Sequence, residues 1–152
     1  MANSTEIIAR HYQTGEGHRV VFRDGIIMSI DPAEAPANTW YAPGIFDLQV
    51  NGYAGVDFQK DNLETGDLRK AAAGLLEDGC PRWFLTLITD DWEKLINRLR
   101  YLKKLRDADD ELCRAIVGWH VEGPFLSPKP GFCGAHDPSV MRDATVEDIN
   151  QL

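Results

Sequence analysis

The stretch WFLTLITDDWEKLINRL, residues 83 to 99, places a short apolar run directly before an amphipathic segment. Trp83 to Ile88 is apolar except for one threonine, and it is rich in residues that favour a buried strand. Asp90 followed by Glu93 resembles a capping box, which marks the start of a helix. The apolar stripe of that helix comprises Trp92, Leu95, Ile96, Leu99 and Leu102. These residues predict one strand followed by one helix.

Comparable patterns lie on both sides of this unit. Ile45 to Val50 is a compact apolar run that predicts a second buried strand. The helix predicted after it ends at Gly79, a natural C-terminal stop. Its apolar face comprises Leu68, Ala72, Leu75 and Leu76. Ala115 to Val121 predicts a third strand. Three successive βα-type units predict a parallel sheet with right-handed crossovers, and therefore an α/β fold.

The residues before this region have a different pattern. Three short segments predict strands: Glu6 to Ala9, Arg19 to Phe22 and Ile26 to Ile30. Residues 23–25, Arg-Asp-Gly, predict a tight hairpin turn between the last two. Residues 31–42 are rich in Pro, Ala and Asn and predict a break. We therefore predict an N-terminal β segment over residues 1–42 and the βα units over residues 43–152.

The composition restricts the classes of function. A net charge of −8 over 152 residues argues against nucleic-acid binding, because phosphate backbones are bound by clustered Lys and Arg. Every apolar run is too short to cross a bilayer, so we expect no membrane partner. The N-terminus has no basic segment followed by an apolar stretch, which favours a cytoplasmic protein. Cys80, Cys113 and Cys133 are widely spaced, and we assign them no chemistry.

A first group of candidate site residues lies at the end of the strand over residues 45–50. Gln49 and Asn51 are separated by one residue, so on a strand both side chains point to the same side. Gly52 and Gly55 allow the backbone to turn sharply after them. Taken alone, a polar pair at a strand end before glycine is more typical of a turn than of a site.

A second group follows the strand over residues 115–121. Glu122 closes an otherwise apolar strand, where a carboxylate is costly to bury unless it binds a cation or a donor. The alternative is a glutamate that accepts backbone hydrogen bonds. His120 shares its side of the strand with Glu122, although an isolated histidine is more often a packed residue. His136 lies in a loop rich in Gly and Pro, where binding and simple turn roles are equally compatible with the sequence.

Four motifs occur in a fixed order along the chain: APGIFDLQVNGYAGVDF at 42–58, LTLIT at 85–89, GWHVEGPFLSP at 118–128 and GAH at 134–136. Each motif is weak by itself. Their order and spacing resemble those of N-acetylglucosamine-6-phosphate deacetylases, a family of the amidohydrolase superfamily. The resemblance reaches Leu152 but covers only the N-terminal portion of a typical family member.

This resemblance implies a fold and a reaction. The family folds as a (β/α)8 TIM barrel of the metal-dependent amidohydrolase type, with a small β-sandwich domain built from both chain ends. Residues 43–152 would then form the first three βα units of the barrel, and residues 1–42 would supply sandwich strands. The implied reaction hydrolyses the N-acetyl group of N-acetylglucosamine 6-phosphate to glucosamine 6-phosphate and acetate, in amino sugar catabolism. A homodimer is implied for the full-length form.

The resemblance also implies roles for individual residues. Glu122 matches a metal ligand, and Gln49, Asn51 and His120 would line the metal site. Related amidohydrolases carry His-x-His where this chain has Gln49 and Asn51, and neutral amides bind zinc or iron poorly. We therefore expect one divalent metal ion per site, zinc or iron. Ala135 and His136 match an element that contacts the sugar phosphate.

The resemblance places the family's catalytic Asp and metal-binding histidines beyond Leu152. A helix predicted to begin after Thr145 also stops there after barely two turns, so we expect a chain that is cut short and inactive by itself. Other amidohydrolases, such as a dihydroorotase or an adenine deaminase, are disfavoured by Gln49 and Asn51. The remaining alternative is a truncated, non-catalytic homologue that binds a sugar phosphate or a protein partner.

Overall fold

The computed structural model of the protein describes residues 4–152, so the first three residues of the predicted N-terminal β segment lie outside the described residues. The chain divides into two compact units between Pro43 and Gly44. None of the helices within residues 4–152 is long and apolar enough to cross a membrane. The three cysteines are free thiols.

The first unit is a four-stranded sheet in the order β3-β2-β1-β4. Its strands are β1 (Ser4–His11), β2 (Gly17–Arg23), β3 (Ile26–Pro32) and β4 (Trp40–Tyr41). The three predicted strands are confirmed, each with longer bounds. The predicted hairpin turn is also confirmed, because Asp24 and Gly25 have the positive φ values of 52° and 79° that a tight turn of this kind requires.

The break predicted over residues 31–42 is wrong at both ends, because Asp31 and Pro32 belong to β3 and a further strand begins at Trp40. Trp40 and Tyr41 form β4, which pairs in parallel with Arg10 and His11 of β1. This strand has only two residues, so it contains too few positions to show an alternating pattern in the sequence.

The second unit contains a parallel sheet in the order β5-β8-β9. Its strands are β5 (Phe46–Val50), β8 (Arg82–Ile88) and β9 (Ile116–Glu122), and a hairpin of β6 (Gly52–Tyr53) and β7 (Val56–Asp57) follows β5. The α/β class and the three parallel strands are therefore confirmed. The predicted third strand is displaced by one residue, so that Glu122 is its last member rather than the residue after it.

Three helices connect these strands: α1 (Thr65–Glu77), α2 (Trp92–Asp107) and α3 (Asp110–Ala115). A 3-10 turn at Pro138–Val140 and α4 (Val146–Gln151) follow the last strand. The predicted α1 and α2 are confirmed, whereas α3 was not predicted. The predicted capping box of Asp90 and Glu93 is wrong. Asp91 caps α2 instead, because its Oδ1 accepts a hydrogen bond from the Lys94 N–H at 3.2 Å.

The two faces of β8 have different environments. Trp83, Leu85 and Leu87 are fully buried in the core that the sheet shares with α1, α2 and α3. Because side chains alternate along a strand, Phe84, Thr86 and Ile88 lie on the opposite face. Gly118 of β9 lies beside Phe84 on that face, and a Cβ at Gly118 would overlap the Phe84 ring. His120 and Glu122 follow Gly118 at the same spacing, so the second face carries the candidate site.

Candidate functional site

Glu122 is the centre of the candidate site. Its Oε2 accepts a hydrogen bond from Gln49 Nε2 at 2.6 Å, and its Oε1 lies 3.2 Å from His136 Nε2. The side chains are only partly exposed, 27% for Glu122 and 18% for His136. The structure therefore brings three of the predicted site residues together from three separate parts of the chain.

The end of β9 is fixed by its backbone. Thr89 Oγ1 donates a hydrogen bond to the Glu122 carbonyl oxygen at 2.9 Å. Gly123 follows with a positive φ of 89°, and a Cβ there would overlap Thr89 Oγ1. Glycine is therefore required at this position for both its conformation and its size. The same contact fixes the backbone from which the Glu122 side chain projects.

Gln49 reaches Glu122 across the central strand β8. The pairing of β5 with β8 is irregular between Asp47 and Val50, and Asp47 Oδ1 accepts a hydrogen bond from the Gln49 N–H at 2.9 Å. Neighbouring strands lie about 4.8 Å apart, so two long side chains are needed to meet over an intervening strand. Glutamine and glutamate meet this requirement.

His136 approaches Glu122 from the loop after β9. Its N–H donates to the Cys133 carbonyl oxygen at 3.1 Å, which forms a turn through the GAH motif. The next residue, Asp137, accepts from the Ser139 N–H at 2.8 Å, and this hydrogen bond lowers the pKa of the Asp137 carboxyl. In the neutral tautomer protonated at Nε2, His136 donates to Glu122 and leaves Nδ1 as an acceptor. Ala135 is exposed beside it.

His120 and Asn51 have other partners. His120 Nδ1 lies 3.4 Å from Thr86 Oγ1, its register partner on β8. The Asn51 carbonyl accepts from the Phe58 N–H at 3.2 Å, and the Asn51 residue is exposed after the end of β5. Within residues 4–152, neither side chain is hydrogen-bonded to Glu122. Their role as residues that line the site stays a prediction.

The chain is similar in sequence and fold to part of known deacetylases. It is 27% identical to the N-acetylgalactosamine-6-phosphate deacetylase of Escherichia coli O157:H7 over 152 residues, which is 95% of this chain and 39% of that protein. It is 34% identical to the N-acetylglucosamine-6-phosphate deacetylase of Danio rerio over 109 residues, 69% of this chain and 25% of that protein. This chain resembles the N-terminal portion of N-acetylglucosamine-6-phosphate deacetylases. No protein-family model matches it.

The crystal structure of the N-acetylglucosamine-6-phosphate deacetylase from Thermotoga maritima has the same fold over the matched region. The TM-score is 0.77 at 20% sequence identity, and the match covers 99% of this chain and 39% of that chain. The chain therefore spans between 25% and 39% of the length of these deacetylases. The resemblance stated from the four motifs is confirmed.

The described residues do not form a complete metal centre. The resemblance to a metal-dependent family predicts Glu122 as a metal ligand. Zinc usually takes three or four protein ligands from Cys, His, Asp and Glu. Residues 4–152 contain no group of three or more such side chains that could hold a metal ion. A glutamate, one imidazole and the neutral amide of Gln49 do not fit the ion, so we derive no reaction step through it.

Gln59 is a further residue beside the site that the sequence analysis did not identify. Its Nε2 donates to the Thr86 carbonyl oxygen at 3.0 Å, and its Oε1 accepts from the Ile88 N–H at 3.0 Å. These partners lie 27 and 29 residues away along the chain. No local pattern marks such a pairing, because its partners are backbone groups of another strand.

Proposed function

We propose that this chain forms the N-terminal part of an enzyme that removes the N-acetyl group from N-acetylglucosamine 6-phosphate, giving glucosamine 6-phosphate and acetate. One observation carries the proposal. The Glu122 carboxylate is hydrogen-bonded to Gln49 and His136 beside the carboxyl ends of parallel strands, where α/β enzymes place their active sites. The names of the matched relatives support the same substrate class.

The proposal includes the architecture. The second unit would be the first part of a (β/α)8 amidohydrolase barrel, in which β5, β8 and β9 are strands one to three. The first unit would contribute to a small β-sandwich domain. The parallel order β5-β8-β9 supports this assignment, because consecutive parallel strands joined by helices are the repeating element of such barrels.

Each residue of the site has a proposed role. Glu122 would supply one ligand to a divalent zinc or iron ion, and the other ligands would be residues other than those described. Gln49 holds one carboxylate oxygen in place, while Asn51 and His120 line the site. Ala135 and His136 contact the sugar phosphate. Because His136 Nε2 is directed at Glu122, a contact between His136 and substrate would use Nδ1.

A chimera tests this function. The matching N-terminal part of the Escherichia coli N-acetylgalactosamine-6-phosphate deacetylase is replaced by this chain, and acetate release is measured with zinc or iron(II). Substrates are the 6-phosphates of N-acetylglucosamine and N-acetylgalactosamine, which also tests the choice between the two sugars. We expect acetate release that Glu122→Gln reduces to background and that Glu93→Gln, at an exposed carboxylate on α2, leaves unchanged. A folded chimera whose activity survives Glu122→Gln would contradict the proposed site.

The incomplete metal centre favours a second function for the chain by itself. A homologue with a single carboxylate ligand would bind the sugar phosphate without hydrolysing it. We expect the 152-residue chain alone to release no acetate from N-acetylglucosamine 6-phosphate. Calorimetry with N-acetylglucosamine 6-phosphate then shows whether this chain binds the sugar phosphate. Heat of binding without acetate release supports a non-catalytic binding protein, and no heat of binding contradicts it. A homodimer and a cytoplasmic location stay predictions.

A further inference from the structure

The side chain of Gln59 forms hydrogen bonds to β8 that a neighbouring strand would otherwise form. The ladder between β5 and β8 ends at Val50 and Leu85, where the chain leaves β5 for the β6–β7 hairpin. Beyond that point, no strand among residues 4–152 pairs with the β5 side of β8. The Gln59 amide takes the position instead, donating to the Thr86 carbonyl and accepting from the Ile88 N–H. In a parallel ladder the neighbouring strand would supply this pair of bonds.

The two residues that Gln59 holds are the partners of the site residues on the other side of β8. Thr86 is paired with His120 and Ile88 with Glu122 in the β8–β9 register. Gln59 Nε2 also lies 3.5 Å from the carbonyl oxygen of Asn51, the residue two positions after Gln49. A single side chain thus connects the end of the Gln49 strand with the part of β8 that aligns Glu122.

We infer that Gln59 is a positioning residue that holds the end of β5 against β8, the strand that aligns Glu122 of β9, so that Gln49 stays within hydrogen-bonding reach of Glu122. The contact is geometric, and its value for catalysis rests on the proposed function. Glutamine is required because the position needs one donor and one acceptor together. An ionised carboxylate lacks the donor, and an aliphatic side chain lacks both.

Other contacts hold the same loop, so removal of the Gln59 amide should leave the chain folded. Phe58 is fully buried and stacks on Trp83 with ring centroids 5.4 Å apart. Tyr101 Oη donates to the Leu63 carbonyl oxygen at 2.8 Å. Tyr101→Phe is therefore a matched control, because it removes a hydrogen bond from the same loop but does not affect Thr86 or Ile88.

Nuclear magnetic resonance of the isotope-labelled 152-residue chain tests the inference. In Gln59→Leu we expect the Ile88 amide to exchange on the order of tenfold faster, as for the loss of one hydrogen bond. We also expect the side-chain amide signals of Gln49 to move, because their contact with Glu122 is disturbed. Tyr101→Phe should change neither signal.

One result in the folded Gln59→Leu variant would overturn the inference. Faster exchange at Ile88 with unchanged Gln49 signals would show a local hydrogen bond that positions nothing. If Gln59→Leu does not fold, two other measurements decide. In the unaltered chain we expect a scalar coupling across the hydrogen bond from Gln59 Nε2 to the Thr86 carbonyl, and its absence would overturn the inference. Gln59→Glu keeps the acceptor for Ile88 but loses the donor, so we expect the Gln49–Glu122 contact to be lost, and its survival would also overturn the inference. Acetate release plays no part, so failure of the deacetylase proposal would leave these readouts unaffected.

Discussion

Replacing Gly123 by alanine adds one methyl group at the residue that follows Glu122. The residue has a φ of 89°, a conformation that costs an L-residue about 1–2 kcal/mol. The new Cβ would also overlap Thr89 Oγ1, which donates to the Glu122 carbonyl at 2.9 Å. Displacing that hydroxyl adds about 1–3 kcal/mol through overpacking and the lost hydrogen bond. We therefore expect Gly123→Ala to lower the free energy of unfolding by about 2–5 kcal/mol.

Gly131 provides the control for the backbone contribution. It has almost the same φ, 86°, but nothing lies within 4 Å of a Cβ placed there. Gly131→Ala should therefore cost only the conformational part, about 1–2 kcal/mol. The difference between the two variants isolates the contact with Thr89. Urea unfolding of the two variants and the unaltered chain, followed by circular dichroism, measures both values.

A double variant tests whether Thr89 Oγ1 is the atom that causes the excess cost of Gly123→Ala. If the excess cost of Gly123→Ala comes from Thr89 Oγ1, then Thr89→Ala in the same chain should recover most of it, since the overlapping atom is gone. Equal losses for Gly123→Ala and Gly131→Ala, or strictly additive effects of Gly123→Ala and Thr89→Ala, would show that Thr89 Oγ1 is not the source of the excess cost.

Two further variants test other contacts. Asp109 caps α3, and the hydrogen bond from the Leu112 N–H is the chief cause of the lowered pKa of its carboxyl, so its contribution to stability is present above the ordinary carboxyl pKa and is lost as the pH falls through the lowered value. Asp109→Ala should therefore reduce both the free energy of unfolding and its acid dependence in urea titrations. Asp110→Ala, at the exposed neighbour, should change neither. Gly118→Ala should cost about 1–3 kcal/mol by overpacking against Phe84, and an unchanged melting temperature would contradict that packing.

The sequence predicted those parts of the fold that depend on local patterns. The run Trp83 to Ile88 and the stripe of α2 are periodic over many residues, so their element types were correct. The predicted cap of α2 was wrong because Asp90 and Asp91 are adjacent, and a contact with a residue further along the chain decides which of them caps the helix. Asp90 bonds to Arg98 at 3.0 Å, eight residues further along the chain, which leaves Asp91 to cap the helix.

The part of the candidate site at the carboxyl ends of the parallel strands was predictable, because those ends meet at one edge of the sheet. That rule brings Gln49 and Glu122 together although 73 residues separate them. The place of Asn51 beside them stays a prediction, and it rests on regular alternation through residue 51. The strand instead ends at Val50, after an irregularity in its pairing with β8. Alternation defines a common side only within a regular strand.

The short length of β5 has a further consequence. A strand that stops at Val50 leaves backbone groups of β8 without a ladder partner, and unpaired groups of this kind are costly when they are shielded from water. The chain satisfies two of them with the amide of Gln59 rather than with a longer strand. A longer β5 would carry residue 51 further along β8 in the sheet. The early end instead lets the backbone turn at Gly52, and the hairpin after it returns Gln59 to the sheet edge beside the site.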